Sequence, residues 1–418
     1  MDFAYFVDQS ANGLSLGCMY AFIALGYTMV YGVLKLVNFA HGEFFMLGGL
    51  IGCLSLGYLP LEQVPLPEPL RPWFGLLAAM LIAALGTAVF AVLAEQMVYK
   101  PLRGEGRYAA LFAAAFLGIF IAAAWGPLSR NIGLLPTLAV LALGVWACLK
   151  FLPRWTDRWS RTRTPGTRIA ALLTALGLSL ALQNGTAWVF TATPRAFPER
   201  KTFLSWEELE ALPAGTVATG NLFVQGERGR RNVMFEGETL DSARWSDMKE
   251  QHAGLYQSAP LSESTKRWIV LATLAVSGSL LFLLVKYTKL GKAMRAVSFN
   301  GETALLMGVN TNRVISFTFF VGAFLAGIGG VLWGMRYGDV DPFTGVIPGL
   351  KAFVAAVLGG IGSIPGAILG GLLLGFTETM LDAYGMSNYR DASAFVIMIV
   401  ILLVKPAGLL GTFEGEKV

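Results

Sequence analysis

The chain reads as an all-α polytopic membrane protein: about nine spanning helices plus a broken or re-entrant helix pair, with an extracytoplasmic insertion. Three observations predict it. Of 418 residues, 55% are hydrophobic and 14% charged, with a mean hydropathy of +0.59. Apolar runs long enough to cross hydrocarbon recur along most of the chain. The 49 glycines are roughly 12% of residues against about 7% in average proteins, which implies close helix packing or broken helices.

The spans are expected at about 13–34, 36–57, 73–94, 109–125, 133–152, 168–190, 268–286, 313–335 and, shorter, 390–405. Basic residues gather beside them. Lys100, Arg103 and Arg107 mark one loop, Lys150 to Arg168 a second, and Lys286, Lys289, Lys292 and Arg295 a third. All three fall on one side if every span crosses, which places them in the cytoplasm and the N-terminus outside. A final span running inward to Lys405 puts the C-terminus in the cytoplasm. The net charge of +5 therefore reflects orientation in a membrane rather than nucleic-acid binding. The opening MDFAYFVDQSAN holds no Lys or Arg, which argues against a cleavable signal peptide. Cys18, Cys53 and Cys148 sit in apolar runs without paired or metal-type spacing and read as packing residues.

Residues 191–266 are polar, rich in Glu, Arg, Trp and Gly, and fall outside by the same parity. Trp206, Phe223, Phe235, Trp245 and Tyr256 favour a small folded insertion over disorder. Gly226 to Arg231 reads as a loop tip. Further on, about thirty apolar residues from Lys351 to Leu381 are interrupted by Gly359, Gly360, Gly362, Pro365 and Gly366. A straight helix of that length would measure roughly 45 Å, beyond the hydrocarbon core, so two shorter helices fit better. A re-entrant pair is favoured, and two tilted crossings have the same parity. Such a break lines a passage or serves close packing.

Between Lys286 and Arg313 a polar stretch encloses a short helix. Asn300 is the expected N-cap, Glu302 suits the positive helix end, and Gly308 is the expected left-handed stop. About two turns remain between them, too few for an isolated helix, so a partner or the membrane domain must hold it. Asn38, His41 and Glu43 are polar groups entering a span, suited to a pathway, a gate or an interfacial network. Gln183 and Asn184 are expected to form interhelical hydrogen bonds, and Glu378 to face an outer cavity or pair within the protein.

The stretches Gly26 to Gly32 with Val37 to Glu43, Met307 to Val314 with Gly327 to Leu332, and Lys351-Ala352-Phe353 through Gly366 carry a resemblance. In them the chain resembles the permease subunits of bacterial ABC importers for branched-chain amino acids, and within that family the first permease type. The resemblance covers about 10–108, 168–195 and 266–410. It leaves an extra hairpin near 109–152 and a long insertion near 195–265. The chain then divides into membrane helices over 1–190, the insertion over 191–266, and membrane helices over 267–418 with a cytoplasmic loop at 287–313.

The resemblance implies that Glu302, Ala304, Leu305, Leu306, Met307 and Gly308 dock into a partner ATPase. It further implies a second permease subunit, related or identical, two cytoplasmic ATPase subunits that hold ATP and Mg, and an extracytoplasmic solute-binding protein that selects the substrate. No GxxxxGK[ST] phosphate loop occurs in this chain, so no cofactor is expected in it and it is not expected to be an enzyme. Urea, short amides and other amino acids stay open as substrates. An ATP-independent channel or secondary transporter is the competing class, and it would need no docking helix.

Overall fold

The computed structural model describes residues 3–58, 71–100, 166–198, 201–206, 222–226, 229–234, 254–258 and 261–411. The predicted spans at 109–125 and 133–152 lie outside the described residues. Among the described residues there are eleven α-helices: α1 (Phe3–Leu34), α2 (His41–Tyr58), α3 (Arg71–Ala94), α4 (Gly166–Phe190), α5 (Glu263–Tyr287), α6 (Lys289–Phe299), α7 (Gly301–Leu306), α8 (Thr311–Tyr337), α9 (Val346–Gly359), α10 (Ile364–Ala383) and α11 (Arg390–Val404). Among the described residues six helices are long and apolar enough to cross a membrane. They are α1, α3 with the π-helical turn Glu95–Tyr99 that extends it, α5, α8, α10, and α11 with the short turn before it. Of the nine expected spans, α2 and α4 fall outside that set. In α2 the opening His41 and Glu43 dilute an otherwise apolar helix.

Helix α1 is the axle of the bundle, with 94% of its most apolar window buried. It packs against α10, α8 and α9. Small residues make the contact possible: a β-carbon on Gly17 would lie 2.6 Å from the Leu372 Cα, and one on Gly375 would lie 2.1 Å from the Gly17 nitrogen. Similar backbone approaches join Gly48 of α2 to Gly327 of α8, and Gly327 to Ala83 and Ala84 of α3. The abundance of glycine therefore serves helix contact throughout the bundle.

The expected break resolves into α9, α10 and a turn. The Ser363 hydroxyl caps α10 by accepting from the Gly366 amide at 3.2 Å, and Gly360 and Gly362 take positive φ. Close approach of Gly359 to Gly366 and of Ala355 to Gly370 makes the two helices antiparallel. At about 1.5 Å per residue, the 20 residues of α10 reach across a bilayer core and the 14 of α9 stop short of it.

In the insertion, strands β2 (Lys201–Ser205), β3 (Leu222–Gly226), β4 (Gly229–Met234) and β5 (Gly254–Ser258) form an antiparallel sheet ordered β2-β5-β3-β4. Most of the predicted tip at 226–231 is thus strand: Gly226 pairs with Gly229, and Arg230 and Arg231 continue β4. A separate pair, β1 (Arg195–Ala196) with β6 (Asp339–Val340), ties the exit of α4 to the exit of α8.

Candidate functional site

The polar stretch between α5 and α8 folds as two helices. Gly291 lets α6 turn back on α5, since a β-carbon there would meet the Val285 carbonyl oxygen at 2.2 Å. Helix α6 buries Gly291, Met294 and Val297 against the bundle and exposes Lys289, Lys292 and Arg295, an amphipathic pattern. Helix α7 then starts where the Asn300 side chain accepts from the Thr303 amide at 3.0 Å. It stops at Gly308, φ 86°, whose amide returns to the Leu305 carbonyl while Val309 returns to Ala304. A β-carbon on Gly308 would meet nothing within 4 Å, so its requirement is backbone conformation alone.

The fold splits the stretch Glu302 to Gly308 between two environments. Ala304 is 5% exposed and packs into the protein's own core, whereas Leu305, Leu306 and Met307 are 60, 86 and 80% exposed. Ala304 therefore lets α7 lie close to its own membrane domain, and the next three apolar side chains form the outward face. Glu302 is exposed beside them. Three adjacent bare apolar side chains, two at the end of a capped helix of 6 residues and one on its C-cap, are costly to leave in water and suit a contact.

Asn38, His41 and Glu43 are all buried at the start of α2. Asn38 accepts from the Tyr99 hydroxyl at 2.6 Å and from the Ala40 amide at 3.1 Å, closing the turn that opens the helix. Glu43 accepts from the Ser179 hydroxyl at 3.0 Å and from the Gln183 amide nitrogen at 2.7 Å, joining α2 to α4. His41 lies against Gly26, where a β-carbon would sit 1.7 Å from its Nε2. Gln183 thus makes the interhelical bond expected of it, while Asn184 donates to the Leu180 carbonyl of its own helix. Gln183→Leu is expected to cost about 1 kcal/mol, the scale of hydrogen bonds between helices in lipid, read as a shift in denaturation in detergent.

The structure does not bring this cluster to the glycine break. Gly42 packs on Gly345 and Gly349, so α2 meets the start of α9, whereas Gly359, Gly360 and Gly366 are buried at its far end. There the Leu409 and Leu410 amides bond to the Leu358 and Gly359 carbonyls at 2.9 Å, and Gly360 packs on Gly408 and Gly411. Gly362 and Pro365 remain exposed.

Glu378, expected to face an outer cavity or to pair within the protein, pairs within it, in a network whose other members the sequence did not mark. Lys351 of α9 pairs with Glu378 of α10 at 2.9 Å and with Asp391 of α11 at 2.6 Å. Glu378 also accepts from the Tyr20 hydroxyl at 2.9 Å and from Arg390 at 3.2 Å. The available signal was a lone lysine and a lone glutamate within apolar helices, both of which need partners.

Comparison with known proteins bears on this arrangement. The family described as branched-chain amino acid transport system / permease component matches residues 9–133 and 108–404. The high-affinity branched-chain amino acid transport system permease protein LivH of Escherichia coli K12 is 32% identical over 419 residues, covering 100% of this chain and 99% of its own. BraD of Pseudomonas aeruginosa, of the same description, is 32% identical over 418 residues, covering 99% of this chain and 98% of its own. The ribose import permease protein RbsC of Haemophilus influenzae is 28% identical over 183 residues, 42% of this chain and 55% of its own. No solved structure matches the chain significantly. With full-length similarity and a bundle of membrane helices, the chain belongs to the family of branched-chain amino acid transport permeases, as a transport subunit and not a catalytic one.

Proposed function

We propose that this chain forms one half of the membrane passage of an ATP-driven importer for leucine, isoleucine, valine or related amino acids. The observation that carries the coupling part is the bare face of Leu305, Leu306 and Met307 at the end of α7. A channel working without a motor has no use for such a face. The basic residues of α6 support a cytoplasmic position for that end of the bundle in a bacterial inner membrane, where an ATPase subunit holding ATP and Mg would dock. The opposite end meets a solute-binding protein, which selects the substrate. The full-length relatives named for branched-chain substrates support this substrate class.

Leu306→Ser is expected to weaken ATPase association by about tenfold, the scale of losing one anchoring side chain at an interface. Gly308→Val, which forces a β-branched residue to positive φ, is expected to reduce association and uptake together. Pull-down of the ATPase and uptake of labelled leucine read both, and unchanged values would sink the coupling role. Substrate class is tested by a ligand screen of the cognate binding protein: preference for urea or sugars would overturn the amino-acid assignment and leave the coupling role intact.

A further inference from the structure

Two cavities meet at the basic end of the bundle. One, of about 400 Å³, lies between α5, α6 and the α9–α10 turn, with Lys286, Arg295, Gly362 and Ser363 in its wall. The other, of about 610 Å³, is a nearly apolar groove between α5, α10 and α1, walled by Leu271, Gly278, Ser279, Ile368, Leu372 and Cys18. They share Phe282, Ile364 and Pro365, so the polar mouth opens into the apolar groove.

The mouth carries unbalanced positive charge. Lys286 and Arg295 are exposed, and among the described residues no carboxylate pairs with either. Carbonyls of Val285 and Lys286 hold the Arg295 guanidinium in place, while the Lys286 ammonium lies 5.3 Å from the Phe282 ring centre. The Ser363 hydroxyl accepts from Gly366 and keeps its own proton to donate. Two cations and a hydroxyl at one point suit a phosphate ester.

The groove has the depth of one leaflet. From Phe282 to Leu271 along α5 is 11 residues, about 16 Å at 1.5 Å per residue, against about 15 Å for half the hydrocarbon core. Gly278 opens it, since a β-carbon there would meet Ile368 Cδ1 at 3.1 Å. We propose that these cavities form a binding site for one anionic phospholipid, with its phosphate at Lys286 and Arg295 and an acyl chain along α5 and α10. A second copy of the chain fits less well. Two-fold contact across this face would set the same uncompensated cations against each other.

The test uses the full-length chain in mild detergent, offered equal amounts of phosphatidylglycerol and phosphatidylcholine of identical acyl composition, with retained lipid counted by native mass spectrometry. Phosphatidylglycerol is expected to be retained preferentially, and Lys286→Ala with Arg295→Ala to reduce its retention by about thirtyfold. Ser279→Trp places a ring in the groove from an exposed position, and is expected to lose the lipid while its melting temperature without lipid stays unchanged. Equal retention of the two lipids, wild-type retention in either variant, or displacement of the lipid by soluble glycerol phosphate at equal concentration would overturn the proposal. So would quantitative disulfide pairing of a Ser279→Cys variant with itself.

Discussion

Replacing Glu378 by leucine is expected to destabilise the membrane domain by about 3–5 kcal/mol, the usual scale of breaking a buried ion pair. Tyr20 and Arg390 donate to its carboxylate and the Lys351 ammonium pairs with it, and Glu378 itself is fully buried. Without it, the Lys351 ammonium keeps only Asp391, a carboxylate that is 73% exposed and screened by water. The Tyr20 hydroxyl is left without its acceptor inside the bundle. Asp391→Asn, by contrast, should cost about 1 kcal/mol or less, as for other exposed ion pairs. The double variant Lys351→Met with Glu378→Leu should recover more than half of the loss, because it removes both buried charges and keeps the volume filled. Denaturation of all four proteins in mixed micelles gives the comparison. Equal cost for Glu378→Leu and Asp391→Asn would show that burial does not govern this network.

That network shows where sequence reading stops. Lys351 and Glu378 stand 27 residues apart, and only the antiparallel return of α10 on α9 brings them together. Tyr20 arrives from 358 residues away, on the central helix. No local period carries such a pairing. The spans were legible because each is a continuous apolar run, and α5, α8 and α11 begin and end within a few residues of the expected limits. The caps of α7 were legible for the same local reason: Asn300 and Gly308 act within one turn of themselves.

What a capped helix presents to its surroundings is a tertiary property. Ala304 and Leu305 are neighbours in sequence but point about 100° apart, so one is buried in the chain's own core and the other faces out. The same rotation separates Gln183, which reaches Glu43, from Asn184, which turns to its own backbone. Helix α6 was read as a basic loop because its apolar face is only Gly291, Met294 and Val297, too narrow to stand out among lysines. Depth was not legible either. Gly42 and Gly360 both mark backbone contacts of α9, yet at opposite ends of it.

Gly17→Leu is expected to abolish accumulation of the folded chain. A β-carbon at position 17 would lie 2.6 Å from the Leu372 Cα and 2.8 Å from the Gly371 carbonyl oxygen. Both are backbone atoms, so no rotamer change relieves the clash, and α10 itself must move. Overpacking by even one methyl in a tight core costs about 1–3 kcal/mol. Leucine adds three further carbons at a contact where the partner glycines, Gly371 and Gly375, have already removed every side-chain atom. Separation of α1 from α10 would also part Tyr20 from Glu378, so packing and polar losses fall together. Gly185→Ala is the matched control: it lies in α4, nothing stands within 4 Å of its β-carbon, and alanine favours a helix by up to about 1 kcal/mol. Fluorescence-detected size exclusion should therefore show Gly185→Ala at or above the wild-type level, with Gly17→Leu lost to aggregate. A monodisperse Gly17→Leu peak that melts with the wild type would mean that α1 and α10 are not held at this distance, and the antiparallel glycine contact would lose its place as the centre of the fold.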